Sequence, residues 1–102
     1  MSGIKLRVEH LADCSELHIL LSHPMENGRQ RDDAGQLIPA HYIESLIVSV
    51  NGHTQIDLRL SGGISKNPYF RLQLPALQPQ DRLAVEWLDN LGVSERAELV
   101  ID

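Results

Sequence analysis

Aromatic residues and cysteines are scarce in this sequence of 102 residues: aromatics make up 4% of it, and Cys14 is the single cysteine. One cysteine cannot form an internal disulfide, and the paired cysteines of zinc ribbons and redox CxxC sites are excluded. No apolar run approaches the ~20 residues that a membrane-spanning helix needs, so no membrane role is expected. With so little aromatic bulk, the core has to be built from leucine, isoleucine and valine.

Positive charge is also in short supply, because the formal net charge is −5 and the arginines are scattered without forming a basic stripe. Binding to nucleic acid requires neutralisation of a row of phosphates, so a nucleic-acid partner is not expected. The first residues contain no apolar segment of the kind found in secretion signals, and we expect no signal peptide. The proportions of hydrophobic (42%) and charged (23%) residues are those of a globular domain.

Apolar and polar residues alternate with a period of two, the pattern of half-buried β-strands. Seven segments follow this pattern, at residues 4–8, 17–21, 42–50, 56–60, 70–74, 83–87 and 97–101. Asn51-Gly52 predicts a tight hairpin turn, and Asp89-Asn90-Leu91-Gly92 predicts a second one. The sequence therefore predicts a single all-β domain over residues 1–102, an immunoglobulin-like β-sandwich of about seven antiparallel strands.

A small barrel is the alternative fold. The long connection from His23 to His41 favours the sandwich, because Greek-key sandwiches accommodate crossovers of this length. That connection is expected to contain a minor hairpin around residues 32–35, where Asp32 and Asp33 are typical turn residues.

Few residues suggest catalysis or metal binding. Cys14 has His10 and His18 each four residues away, but Asp13 and Glu16 work against thiolate formation, and a half-buried thiol at a turn is the simpler interpretation. His23 and His41 bracket the long connection and could meet in space. No pair of histidines has metal-ligand spacing, so hydrogen-bonded loop histidines are preferred and no metal site is predicted.

Two further features have ordinary structural explanations. Gly62-Gly63, with Lys66 nearby, could form a small nest of backbone N–H groups for an anion. The phosphate-loop spacing is absent, however, and a glycine-rich corner between strands is preferred. Trp87 lies on an alternating strand and is predicted to belong to the core. We therefore expect no catalytic residues and no cofactor.

Four strings in the sequence are similar to the SoxZ family, the smaller subunit of the SoxYZ carrier in bacterial sulfur oxidation. They are HPMENGR (residues 23–29), GQLIPAHYI (35–43), GISKNPY (63–69) and WLDN (87–90). The similarity extends over nearly the whole chain. It implies an immunoglobulin-like fold, in agreement with the predicted strands.

The resemblance implies a non-catalytic partner subunit that forms a heterodimer with a SoxY-like chain. SoxY carries sulfur intermediates on a cysteine in a glycine-flanked C-terminal tail, which this sequence does not have. The family further implies a periplasmic location, reached together with the partner, and transient contacts with the enzymes that act on the bound sulfur. Seven residues of the motif strings are expected to contact the partner: Met25, Glu26, Arg29, Ile64, Lys66, Asn67 and Tyr69.

Two other functions are open at the level of sequence. The chain could be an autonomous sulfur carrier or thiol enzyme that uses Cys14. It could also be a self-associating, adhesion-type sandwich, since sheet edges readily pair with other chains. A SoxZ-like chain separated from its partner could also form a homo-oligomer.

Overall fold

The computed structural model describes residues 3–102, which form seven β-strands and include no helix long and apolar enough to cross a membrane. The predicted domain also included Met1 and Ser2, which lie outside the described residues. The strands are β1 (Ile4–His10), β2 (Cys14–Leu21), β3 (Ile43–Val50), β4 (His53–Arg59), β5 (Tyr69–Pro75), β6 (Arg82–Asp89) and β7 (Ser94–Val100). All seven predicted segments are confirmed as strands, with ends that differ by a few residues.

The strands form two separate antiparallel sheets, so the chain is a sandwich and not a closed barrel. The three-stranded sheet has the order β1-β2-β5, and the four-stranded sheet has the order β4-β3-β6-β7. At one side of the sandwich, the Gly3 N–H donates to the Glu95 carboxylate at 2.9 Å, which links the start of β1 to the edge strand β7. The predicted all-β sandwich is confirmed.

The core lies between the two sheets and is aliphatic, as the scarcity of aromatics requires. Its buried side chains come from both sheets: Leu17, Ile19, Leu21 and Leu74 from one, and Leu46, Val48, Leu83, Val85 and Trp87 from the other. Trp87 is 4% exposed, which confirms that it is a core residue. Burial of one such side chain stabilises the fold by about 1.5–3 kcal/mol.

The predicted turns are also present. Asn51 and Gly52 connect β3 to β4 with φ values of 52° and 83°, the left-handed conformation that a type I′ turn needs. The β6–β7 turn is closed by a hydrogen bond from the Asp89 N–H to the Val93 carbonyl at 2.9 Å. Within the long connection, a short antiparallel bridge pairs Arg31 with Leu37, so the minor hairpin is confirmed.

Candidate functional site

Two loops that carry the motif strings lie side by side: the first motif loop (residues 23–29) and the second motif loop (residues 61–69). The His23 N–H donates to the Asn67 side-chain oxygen at 2.9 Å, and the Asn67 N–H donates to the His23 carbonyl at 3.0 Å. Asn67 has a φ of 51°, a left-handed conformation that asparagine tolerates better than most residues. This reciprocal pair of bonds holds two segments together that are more than 40 residues apart in sequence.

The loops also approach each other closely at Gly62. A Cβ atom at this position would lie 2.9 Å from the Asn27 Cα, so only glycine fits without a backbone shift. Neither Gly62 nor Gly63 has a positive φ, and the Gly63 N–H points to the Ser61 hydroxyl at 3.4 Å. These features favour the glycine-rich corner over an anion nest.

A surface groove of about 470 Å³ runs between the two motif loops and is called the loop groove here. Half-buried Ile64 and Ile38 contribute apolar surface to it, while Glu26 and Lys66 contribute opposite charges. The other lining residues are Pro24, Met25, Asn27, Gln30, Arg31, Gly62, Gly63 and Ser65. A groove with this mixture of surfaces can receive an extended segment of another protein.

The structure brings four of the seven predicted contact residues to the loop groove, namely Met25, Glu26, Ile64 and Lys66. Met25 is only 5% exposed and packs in the hydrophobic core, so it mainly anchors the first motif loop to the core.

The other three predicted residues lie elsewhere. Arg29 lines an adjoining depression that shares Asn27, Gly62 and Gly63 with the loop groove. Asn67 uses its side-chain oxygen to hold His23. Tyr69, which is 53% exposed, lies on the outer face of the three-stranded sheet beside His18.

His23 and His41 do meet in space, and they meet at Asp89. We call these three residues the loop cluster. The centroids of the two histidine rings are 4.6 Å apart. Both Nε2 atoms approach Asp89 Oδ2, at 3.1 Å for His23 and 2.7 Å for His41. The other carboxylate oxygen accepts hydrogen bonds from two backbone N–H groups of the β6–β7 turn, those of Leu91 and Val93, at 3.0 and 2.9 Å.

The Asp89 side chain is fully buried. Burial by itself raises the pKa of the carboxyl, but the hydrogen bonds from His23, the Val93 N–H, His41 and the Leu91 N–H outweigh it and lower the pKa below its usual value. The carboxylate is therefore charged in the folded protein and fixes both rings and the turn.

The loop cluster contains nitrogen and oxygen atoms of the kind that bind metal ions. The hydrogen bond at the second ring nitrogen of His23, however, argues against metal binding. The Met25 N–H donates to His23 Nδ1 at 3.1 Å, so Nδ1 carries the lone pair. The ring proton then resides on Nε2, which donates to Asp89 and has no lone pair for a cation. The geometry supports the hydrogen-bonded interpretation of these histidines.

Sequence reasoning treated Asp89 only as a turn residue and missed its part in this cluster. A signal was present: Leu83, Val85, Trp87 and Asp89 have the same parity on β6, and the first three face the core. A carboxylate on the core-facing side of a strand requires buried hydrogen-bond donors.

Cys14 is half-buried at the first position of β2, close to the connection from β1. No side-chain hydrogen bond to its sulfur is found within residues 3–102, and the His18 ring is occupied by Tyr69 and Glu16. Cys14 is opposite Pro75 in the sheet. The structure thus agrees with a half-buried thiol and, from Gly3 to Asp102, shows no base hydrogen-bonded to it.

A second group of histidine and carboxylates lies on the outer face of the three-stranded sheet. We call Glu9, Glu16 and His18 the sheet-face cluster. Register places Glu9 opposite Glu16 on β1 and β2, with His18 two residues along β2. Glu16 Oε1 lies 2.9 Å from His18 Nε2, and Glu9 Oε2 lies 3.7 Å from it. The hydrogen bond from Arg71 to Glu16 at 2.9 Å lowers the pKa of the Glu16 carboxyl.

A family model described as sulphur oxidation protein SoxZ matches residues 4–100. The chain belongs to the SoxZ family. Membership confirms the resemblance carried by the motif strings and gives the chain a role in sulfur oxidation. No individually curated protein matches the sequence. The match extends from the first strand to the last, so both motif loops and the loop cluster are parts of the family domain.

Proposed function

We propose that this SoxZ-family chain is the non-catalytic partner subunit of a sulfur carrier and binds a SoxY-like chain, whose C-terminal cysteine holds the sulfur intermediates. The convergence of the two motif loops on one groove carries this proposal. Residues that are about 40 positions apart in sequence meet there through the reciprocal bonds of His23 and Asn67. A catalytic role would need a reactive group in such a place, whereas this groove offers surface for binding.

The composition of the loop groove suits a protein segment. Ile64 and Ile38 are half-buried, and together they give an apolar patch that a partner side chain can cover. Lys66 is exposed and Glu26 is half-buried, so charges of both signs lie beside that patch. An apolar centre with a polar rim is the usual anatomy of a protein interface.

The periplasm is the compartment that we propose for the complex, with both subunits exported together. There the partner's cysteine arm would be offered in turn to the enzymes that load, oxidise and release the sulfur. The role of this chain would be to stabilise the carrier and to hold it during these transient contacts.

Co-purification tests the proposal directly. A tagged chain, produced together with the protein encoded next to it, should capture a small protein that ends in a cysteine flanked by glycines. Lys66→Glu should weaken this capture by about tenfold, because a charge at the edge of the interface is reversed. Lys5→Glu is the matched control, since Lys5 is exposed on β1 and lines a different depression.

Equal weakening by both lysine variants would mean that the loop groove is not the interface. Failure to capture any such partner would contradict the proposal as a whole. Intact mass after exposure of the complex to thiosulfate provides a second measurement. The sulfur adduct should be found on the partner, and a stable adduct on this chain that disappears in Cys14→Ser would favour the autonomous carrier instead.

A further inference from the structure

The turn between β6 and β7 exposes apolar side chains, although turns are normally built from glycine, proline, asparagine, aspartate and serine. Leu91 is 61% exposed and Val93 is 50% exposed, and Leu88, the next-to-last residue of β6, is 43% exposed. Single exposed apolar residues are common on proteins, whereas three within six positions form a patch. We call Leu88, Leu91 and Val93 the turn patch. Apolar patches of this kind mark surfaces that bind other proteins.

The turn that carries this patch is held in place by the rest of the protein. In addition to the two backbone N–H groups that bind Asp89, Asn90 makes three hydrogen bonds to the end of the long connection. Its N–H donates to the Tyr42 carbonyl at 3.0 Å, and its side-chain nitrogen donates to the Ala40 carbonyl at 3.0 Å. Its side-chain oxygen accepts from the Tyr42 N–H at 2.8 Å. The apolar side chains are therefore preorganised, which lowers the entropy lost when a partner binds.

The turn patch and the loop groove lie at the same end of the sandwich. The first motif loop follows β2, the second precedes β5, and the turn follows β6, where His23 bonds to Asp89 across the two sheets. The depression that contains Arg29 adjoins the loop groove and extends to Tyr42, whose backbone bonds to Asn90 of the turn. The groove, the depression and the turn therefore form one continuous surface.

The loop groove by itself is small for a stable complex. It is lined by twelve residues, whereas the interface of a stable heterodimer uses about 20–30 residues on each side. Its apolar part is limited to half-buried side chains such as Ile38 and Ile64, although permanent interfaces have an apolar core. The turn patch supplies the exposed apolar surface that the groove lacks.

We propose that the turn patch is the apolar anchor of the surface that binds the SoxY-like partner, which covers Leu88, Leu91 and Val93 with apolar side chains of its own. This inference rests on the proposed function and extends that interface from the loop groove to the β6–β7 turn. Leu88 also lines a depression of about 240 Å³ on the outer face of the four-stranded sheet, together with half-buried Ile47. This depression offers room for a side chain of the partner.

Co-purification with the protein encoded next to this chain tests the inference on the whole complex. Leu91→Gln should weaken capture by at least about tenfold, because a polar side chain of similar size would lose its water in an apolar contact. Leu11→Gln is the matched control and should capture the partner like the wild type. Leu11 is 46% exposed and lies between β1 and β2, at the opposite end of the sandwich. Both leucines are exposed, so both variants should fold, and their melting temperatures check this.

Thiol labelling gives an independent measurement. Leu91→Cys and Leu11→Cys are each made in a Cys14→Ser chain, so that every variant has one thiol, and alkylation of this chain is followed by intact mass. Relative to the dilute free chain, alkylation in the complex should slow at least about tenfold for Leu91→Cys and stay unchanged for Leu11→Cys.

Unchanged capture by Leu91→Gln and unchanged labelling of Leu91→Cys, in a complex that Lys66→Glu weakens, would overturn this inference and leave the proposed function in place. Failure of the wild type to capture a partner would overturn both. A dimer of the isolated chain that Leu91→Gln converts to a monomer, with capture of the partner unchanged, would also overturn the inference by assigning the turn patch to a second copy of this chain.

Discussion

The loop cluster and the sheet-face cluster both combine histidine rings with carboxylates, but their contacts differ. In the loop cluster, Asp89 accepts four hydrogen bonds, and each has a defined donor. In the sheet-face cluster, the ring of His18 is equally buried, and its contacts are with side chains: Arg7 and Tyr69 face Nδ1, and the Glu16 carboxylate lies 2.9 Å from Nε2. The first arrangement ties two loops to a turn, whereas the second joins side chains of β1, β2 and β5 across the outer face of one sheet.

In both clusters, the second ring nitrogen decides what the histidine can do. A backbone N–H faces Nδ1 of His23, and the Arg7 guanidinium, which can only donate, faces Nδ1 of His18 at 3.4 Å. Residue type and distance alone would make both clusters equivalent metal sites. A donor at Nδ1 leaves the ring proton on Nε2, where it faces a carboxylate, so both clusters are hydrogen-bonded arrangements within the protein itself.

The largest effect is expected for Asp89→Asn. The amide nitrogen would face the Nε2–H donors of His23 and His41, so donors would oppose each other in a buried place. We expect a loss of about 3 kcal/mol in the free energy of unfolding, measured with urea. Asp57→Asn is the control, because Asp57 is exposed and its pair with Arg59 at 3.2 Å is worth at most about 1 kcal/mol. Equal losses would show that Asp89 does not hold the loops.

A smaller loss in the free energy of unfolding is expected for variants of the two buried histidines, and it should differ between them. His23→Gln removes the acceptor for the Met25 N–H and the edge contact with Trp87, whose ring centroid is 5.1 Å away, and should cost about 2 kcal/mol. His18→Gln should cost less, about 1 kcal/mol, because the groups that face its ring, namely Arg7, Tyr69 and Glu16, reach solvent and can be hydrated when the ring is lost. Urea unfolding in metal-free buffer measures both, and a larger loss for His18→Gln would reverse the comparison.

The smallest expected effect is on the pH dependence of the unfolding free energy. Because the pKa of Asp89 is lower in the folded protein than its ordinary value of 3.8, the unfolded chain binds protons more readily. The resulting stabilisation is present above that value and is lost as the pH falls through the lower, folded pKa. The unfolding free energy of Asp89→Asn should therefore change less between about pH 5 and pH 3 than that of the wild type or Asp57→Asn. Parallel pH curves for all three proteins would contradict this assignment.

Much of the fold could be predicted because its signals are local. Alternation along 83–87 shows which side chains of β6 face inward, and Asn51-Gly52 specifies its own turn. The candidate sites depend instead on pairing between distant segments. The bond from the His23 N–H to Asn67 joins residues 44 positions apart, and no local sequence pattern predicts it. The alternation on β6 did contain one such sign, a carboxylate on the buried face.

The alternation of apolar and polar residues and the turn residues determined by themselves that this chain forms antiparallel strands around an aliphatic core. Strand geometry and turn conformation depend on neighbouring residues in the sequence. The motif strings determined the family. Only the tertiary structure decided that His23, His41 and Asp89 meet, that Met25 is buried, and that the His18 ring is buried on the outer face of its sheet. Hydrogen bonding and burial depend on atoms brought from other strands, and their positions follow from the sheet register and loop packing.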